Sequence, residues 1–186
     1  MSADEIQISD LENSSRILSY PERPLEVHWT SFFYCPLAHP SVMFNRNNLP
    51  KGPLYSENNP SGEKGNCDFK YSEDYALWHR LTATGHRLGN LALPPLVSIR
   101  KRSNGISSKH KEGQQLASLK IIQHFTSLRI KRRISLKCAM GLFLPIAQFT
   151  GQKDQKDTGD KEVTQVFDII ISLEKSLLES SSMKST

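Results

Sequence analysis

Tyr71-Ser72-Glu73-Asp74-Tyr75-Ala76-Leu77-Trp78-His79-Arg80-Leu81 is the stretch that organises the chain. Leu77, Trp78 and Leu81 fall on one face at helical spacing, so a helix is predicted from Ser72 to Thr84. Ser72 is placed as its N-cap. Glu73 and Asp74 occupy the first turn, where the helix dipole favours anions, and Gly85 is a natural stop. Asp74 shares a face with Leu77, Trp78 and Leu81, at the rim of the apolar stripe. Partial burial raises a carboxylate's pKa, whereas N–H donors and the dipole lower it. A group held between those influences can accept a proton from an alcohol. The plain alternative is that Glu73 and Asp74 are ordinary first-turn acids.

Before this helix, residues 45–69 are rich in Asn, Gly, Pro and Ser and read as a long loop. Ser41-Val42-Met43-Phe44 follows Pro40 and has the profile of a short buried strand. Leu25 to Tyr34 fits a short helix or a strand, and its pattern does not decide between them. Residues 1–24 form a lead-in that ends at the turn-like Pro21-Glu22-Arg23-Pro24. After the helix, 88–93 and 96–100 read as two extended pieces around Pro94-Pro95. Glu112 to Ile130 and Ser135 to Phe149 are helix candidates, the second weakened by Pro145. Residues 151–160 are a polar linker. Val163, Phe167, Ile170 and Leu177 then suit an amphipathic terminal helix with a frayed tail.

Composition excludes several classes. The 186 residues are 37% hydrophobic and 23% charged, enough for a domain with a core and outside the disordered range. Cys35, Cys67 and Cys138 are too few and too widely spaced for a disulfide framework or zinc ribbon. The run from Cys138 to Phe149 is too short to span a membrane, and the acidic N-terminus lacks the apolar core of a secretory signal. A cytoplasmic location follows as the expectation. The formal charge of +5 is uneven: residues 94–137 hold eleven basic side chains against Glu112 alone. Such a stretch would attract phosphate, nucleic acid or an anionic membrane, or simply be a solvated helix face. Phe125 is the one aromatic residue among those positions, so base stacking lacks its platform and nucleic acid is not an expected partner.

Several of these segments carry a resemblance. Cys35-Pro36-Leu37-Ala38-His39-Pro40-Ser41-Val42-Met43-Phe44-Asn45-Arg46 resembles the "N-P-x-x-H-P-T-V-M-F-R" strand of family-two glycosyltransferases of the GT-A fold. Tyr71 to Leu81 resembles their "E-D-Y-x-L-W-x-R-L" helix. Gly85 to Leu91 resembles the "G-x-x-x-x-N-L" step, and Leu96 to Ser108 the "L-x-x-Y-R-x-H-x-x-S-I-S" segment. Order and spacing agree across 35–108.

The resemblance implies an α/β fold: a partial GT-A-like domain with a small mixed sheet from 41–45, 88–93 and 96–100, followed by a helical C-terminal section. It divides the chain into the lead-in at 1–24, an acceptor-side half at 25–108, a basic helical section at 109–150, the linker at 151–160 and the terminal helix at 161–186. It implies inverting transfer of a sugar from a nucleotide-sugar to an acceptor hydroxyl. Asp74 would be the general base and Glu73 its catalytic support. Trp78, His39 and Arg102 would lie on the substrate side, with Trp78 packing beneath the site as core rather than sugar platform, and with a packed, hydrogen-bonded structural side chain as the plain reading of His39. Arg102 stands where the family carries a His; it would meet phosphate as a cation and cannot ligate a metal.

The family's opening "V-S-I-I-I-P-x-Y-N" strand and its D-x-D acids are absent from these 186 residues. No cofactor is therefore expected in this chain. A divalent cation, Mn or Mg, is expected only with a donor half, which a partner chain or further sequence would supply. The competing reading is a non-catalytic remnant that binds a glycan or a protein.

Overall fold

The computed structural model describes residues 17–51, 54–55, 69–91, 94, 96–99, 105, 109–149 and 160–182. Five α-helices lie among them: α1 (Pro24–Thr30), α2 (Glu73–Ala83), α3 (Lys111–Arg129), α4 (Leu136–Phe149) and α5 (Asp160–Ser182). Two 3₁₀ turns, His39–Ser41 and Arg46–Asn48, punctuate the coil between α1 and α2. α3 packs against α4, α2 and α5, and α4 packs against α5.

The expected sheet does not form among the described residues. No strand occurs among the described residues, and the α/β, GT-A-like expectation gives way to a helical fold. Ser41 belongs to a 3₁₀ turn, and Met43 is 93% exposed. Leu91, Leu96, Val97 and Ile99 also face outward. A strand satisfies its backbone only through a neighbouring strand. The neighbours here are helices and coil, so these short apolar runs have no ladder to join.

Extended chain is held in another way. The Asn90 N–H donates to Glu22 O at 3.2 Å. Its side-chain Nδ2 donates to Pro21 O at 2.6 Å and to Pro36 O at 3.1 Å. One Asn thus fastens three segments. Gly89 beside it is required by packing, since a Cβ there would stand 2.7 Å from Glu22 O.

α1 resolves the ambiguity of Leu25–Tyr34 in favour of a helix. Pro24 starts it with a preset φ, and the Glu26 carboxylate accepts from the Arg23 N–H at 3.2 Å. α2 ends as its Gly predicts. Gly85 has φ 89°, its N–H donates to Thr82 O, and the His86 N–H donates to Leu81 O. That paired pattern is a Schellman closure.

α3 closes in the same way but with Lys131, φ 52°, at the left-handed position. Its N–H donates to Leu128 O and the Arg132 N–H to Ser127 O. A Cβ in that region costs about 1 kcal/mol. Lys131→Gly is therefore expected to stabilise the protein by about 1 kcal/mol, less the extra entropy of an unfolded Gly, read by urea denaturation. A destabilised variant would mean that the Lys side chain makes contacts outweighing its strain.

Two cores share α2. The larger gathers Tyr75 and Ala76 with Ile121, Phe125, Leu142 and Leu173 from α3, α4 and α5. The smaller sets Leu77, Trp78 and Leu81 against Val27 and Leu37. α2 is buried on nearly every side rather than along one stripe. On α5 the buried face is Ile169, Leu173 and Leu177, while Phe167 is exposed. Of the expected face, Leu177 is buried and Ile170 packs against the core, Phe167 turns outward, and the side chain of Val163 lies outside the described residues.

The larger core also buries His79. Its ring lies face to face on Phe125, with centroids 4.5 Å apart at 4°, and edge-on to Phe32 at 5.3 Å. Ser31 Oγ donates to His28 O at 2.7 Å, which leaves that oxygen to accept from His79 Nδ1 at 3.5 Å. Nδ1 therefore carries the proton of the neutral ring. Nε2 is buried without a partner. Burial pushes the His79 pKa down from 6.5 to about 3, and the neighbouring His28 and His124 push it the same way.

The consequence for stability has a definite sign. The unfolded chain takes up a proton below its own pKa, and the folded chain does not until much lower pH. The His79 contribution is complete above pH 6.5 and is lost as pH falls toward 3. Its slope is up to about 1.4 kcal/mol per pH unit. His79→Phe should remove one proton's worth of that slope in urea melts across this range. An unchanged slope would place the titration elsewhere.

Candidate functional site

The approach to α2 is strained. Tyr71 adopts φ 74°, a left-handed conformation that a side chain rarely takes. The start of α3 holds it there. The Tyr71 ring stacks on His110 at 4.4 Å and 10°, and its carbonyl accepts from Gln114 Nε2 at 3.2 Å. Gly113 leaves the necessary room, since a Cβ would come within 3.2 Å of the Tyr71 ring. Ser72 stands at the N-cap position but makes no cap hydrogen bond. Its hydroxyl donates to Gln114 O at 3.3 Å and lies 3.3 Å from Ser118 Oγ, so it ties α2 to α3 instead.

Asp74 emerges from this junction half-buried. Its Oδ1 accepts from the Tyr75 N–H at 2.8 Å. Burial raises its pKa above the ordinary 3.8. The Tyr75 N–H and His39 oppose the rise, and Glu73 adds to it. Asp74 opens on a cleft of about 360 Å³, within the size range of small-ligand sites. α2 contributes Asp74 and Tyr75, and α3 contributes Lys111, Gln115 and Ser118. Cys35, Ser72, Gln114 and Phe143 complete the lining.

Cys35 is chemically quiet. Burial, followed by the Asp74 charge, pushes its pKa up to about 12. Its thiol lies 3.4 Å from Leu37 O, which accepts the weak hydrogen bond. A neutral thiol is a poor nucleophile, so the proton-accepting group of this cleft is the carboxylate.

Trp78 lies wholly inside, 0% exposed. It supports the site from beneath and presents no face to a ligand. Its indole N–H has no hydrogen-bond partner at normal geometry. It is close enough to the Cys35 sulfur to ease ionisation of that thiol slightly, which is a weaker contact than a formed bond.

His39 sits over Trp78, with ring centroids 6.1 Å apart, and its Nε2 is 2.7 Å from the Tyr55 hydroxyl. Burial raises the Tyr55 pKa, and the charges of Asp74 and Glu73 raise it further. Arg80 fixes that segment by donating from Nη2 to Leu54 O at 2.6 Å.

The structure thus brings Asp74, Glu73, His39 and Trp78 into one neighbourhood. Glu73 and His39 are its exposed members. Arg102 lies outside the described residues. Tyr55 and Cys35 join the group without having been singled out from the sequence, as do Lys111, Gln115 and Ser118. Their signal is tertiary: Tyr55 is held by Arg80, and the α3 residues by the strained turn at Tyr71.

The divalent cation implied by the resemblance finds no ligand set here. Among the described residues no group of three or more His, Cys, Asp or Glu side chains is placed to hold a metal. No chemical step is routed through one.

Over 129 residues, 68% of its length, this chain is 30% identical to the Bifunctional glycosyltransferase pgtA of Dictyostelium discoideum. The chain is related to a glycosyltransferase. The match covers 16% of that protein, so the chain corresponds to a small part of a much longer molecule. No family model matches this glycosyltransferase-related chain, and no solved structure matches it. No helix among the described residues is long and apolar enough to cross a membrane.

Proposed function

We propose that this chain forms the acceptor side of an inverting, family-two glycosyltransferase, with Asp74 as the general base. The acceptor hydroxyl gives its proton to the Asp74 carboxylate as its oxygen attacks the anomeric carbon of a nucleotide-sugar. The new C–O bond forms as the bond to the diphosphate breaks, and the diphosphate leaves with the electron pair. The observation that supports this reading is a single carboxylate, half-buried at a ligand-sized cleft with its proton affinity raised, in a chain related to a glycosyltransferase. A raised pKa makes the carboxylate a stronger base. His39 and Glu73 adjust that charge from opposite directions. Trp78 and Arg80 keep the surrounding coil in place.

The donor-binding residues are supplied from outside these 186 residues, in this reading. The test joins this chain to a nucleotide-sugar-binding region and supplies UDP- and GDP-sugars with manganese and a panel of hydroxyl acceptors. Sugar transfer with inverted anomeric configuration, read from the proton coupling of the product, is the expected result. Retention of configuration would overturn the direct-attack mechanism. Robust turnover by the 186 residues alone would overturn the division of the site.

A further inference from the structure

We infer that the first two turns of α3, through Lys111, Gln115 and Ser118, form the wall that selects the acceptor, and that this wall fits a neutral, polyhydroxylated glycan. The inference rests on the acceptor-side reading above and assigns its specificity to a helix outside the segments that carry the family resemblance.

Three observations carry it. First, α3 and the Asp74 turn are built as one unit. The left-handed Tyr71 stores strain of about 1 kcal/mol or more, and the contacts that hold it come from His110, Gly113 and Gln114. Such strain is stable only where the surroundings over-determine it, and here they are the start of α3. Second, the side chains that α3 turns into the cleft are an ammonium, an amide and a hydroxyl. These are donors and acceptors suited to sugar hydroxyls, and Phe143 adds apolar ring surface beside them.

Third, the charge balance among the described residues favours a neutral ligand over a diphosphate. Among the described residues the cleft lining holds one cation, Lys111, and one carboxylate, Asp74. The exposed basic run Lys131-Arg132-Arg133 follows the opposite end of α3, about 27 Å away for a helix of this length. Arg129, at that end, is already engaged with Ser176 O at 2.7 Å and with Ser180 Oγ. A doubly charged diphosphate needs clustered cations. A neutral glycan needs a wall of mixed polarity, and that is what α3 presents.

The test titrates the isotopically labelled 186-residue chain with neutral disaccharides (lactose, cellobiose and chitobiose) and separately with UDP plus manganese, followed by NMR. A disaccharide should shift the Gln115 side-chain amide and the backbone of 111–118. Lys111→Ala or Gln115→Ala should weaken binding about tenfold, the loss of one strong hydrogen bond, with an unchanged melting temperature. Failure of every disaccharide to perturb α3 would overturn the inference, as would UDP perturbing the same residues as strongly. Neither result bears on Asp74 as the base, which is decided separately by transfer activity. Disaccharide binding that persists in both variants would move the selecting wall away from α3 and leave the acceptor-side reading intact.

Discussion

Asp74→Asn lowers sugar transfer by about 10²- to 10⁴-fold in an active context, the range expected for loss of a positioned general base. Asn keeps the shape and can still accept from the Tyr75 N–H through its side-chain oxygen, but it cannot take a proton. The fall should be in kcat, with KM for the acceptor nearly unchanged, because the lost interaction belongs to the transition state.

The raised pKa fixes two further signs. Activity requires the ionised carboxylate, so it should rise with pH through a value above the ordinary 3.8. Stability runs the other way. A carboxylate whose folded pKa is raised contributes most at low pH, and that contribution is lost as pH rises through the folded pKa. The Asn variant therefore gives up no favourable charge at neutral pH, and its urea midpoint should equal or exceed that of the parent. A variant that unfolds more easily would make Asp74 a structural acid. A variant that transfers sugar at the parental rate would remove it from the base role.

Trp78→Ala should lower stability by about 3–5 kcal/mol, a large share of the 5–15 kcal/mol typical of a folded domain. The ring is fully buried beside Val27, Leu37, Leu77 and Leu81, and it lies 5.9 Å from Phe44. The cavity term dominates, but a second effect trims it. The indole N–H has no partner at normal geometry, and an orphan donor costs about 1–3 kcal/mol that the truncation returns. The measured loss should therefore fall toward the lower end. Trp78→Phe removes the same orphan while keeping most of the apolar volume, so it should be far milder. Equilibrium urea unfolding of both variants separates the terms. A loss below about 1 kcal/mol for Ala would mean that the ring is not a core element. The damage should also reach the site, since His39 packs over this ring and reaches Tyr55 from there.

Local chemistry made much of α2 legible. The two acids and Gly85 mark a helix because the dipole favours anions at its start and its closing turn takes a left-handed φ, and the observed Glu73–Ala83 agrees, although Ser72 at the N-cap position bonds to α3 instead. The later helices were readable for the same reason, from the spacing of apolar residues along 112–149. The sheet is not legible in the sequence because Val42-Met43-Phe44 and Leu96-Val97 have the residue types of strands, and type alone does not supply a partner. His79 was silent in sequence. A single His between Trp78 and Arg80 gives no sign that its ring will be clamped on Phe125, 46 positions away.

The candidate site divides along the same line. By itself the sequence determined that a carboxylate would begin a helix next to a buried Trp, because helix dipole, N-terminal N–H groups and apolar spacing all act within a few residues. Only the tertiary structure decided that this carboxylate would face α3 across a cleft, share its field with His39 and Tyr55, and hold its proton more tightly than a free Asp. Those properties depend on distance and dielectric between segments tens of residues apart, and folding, not spacing along the chain, sets both.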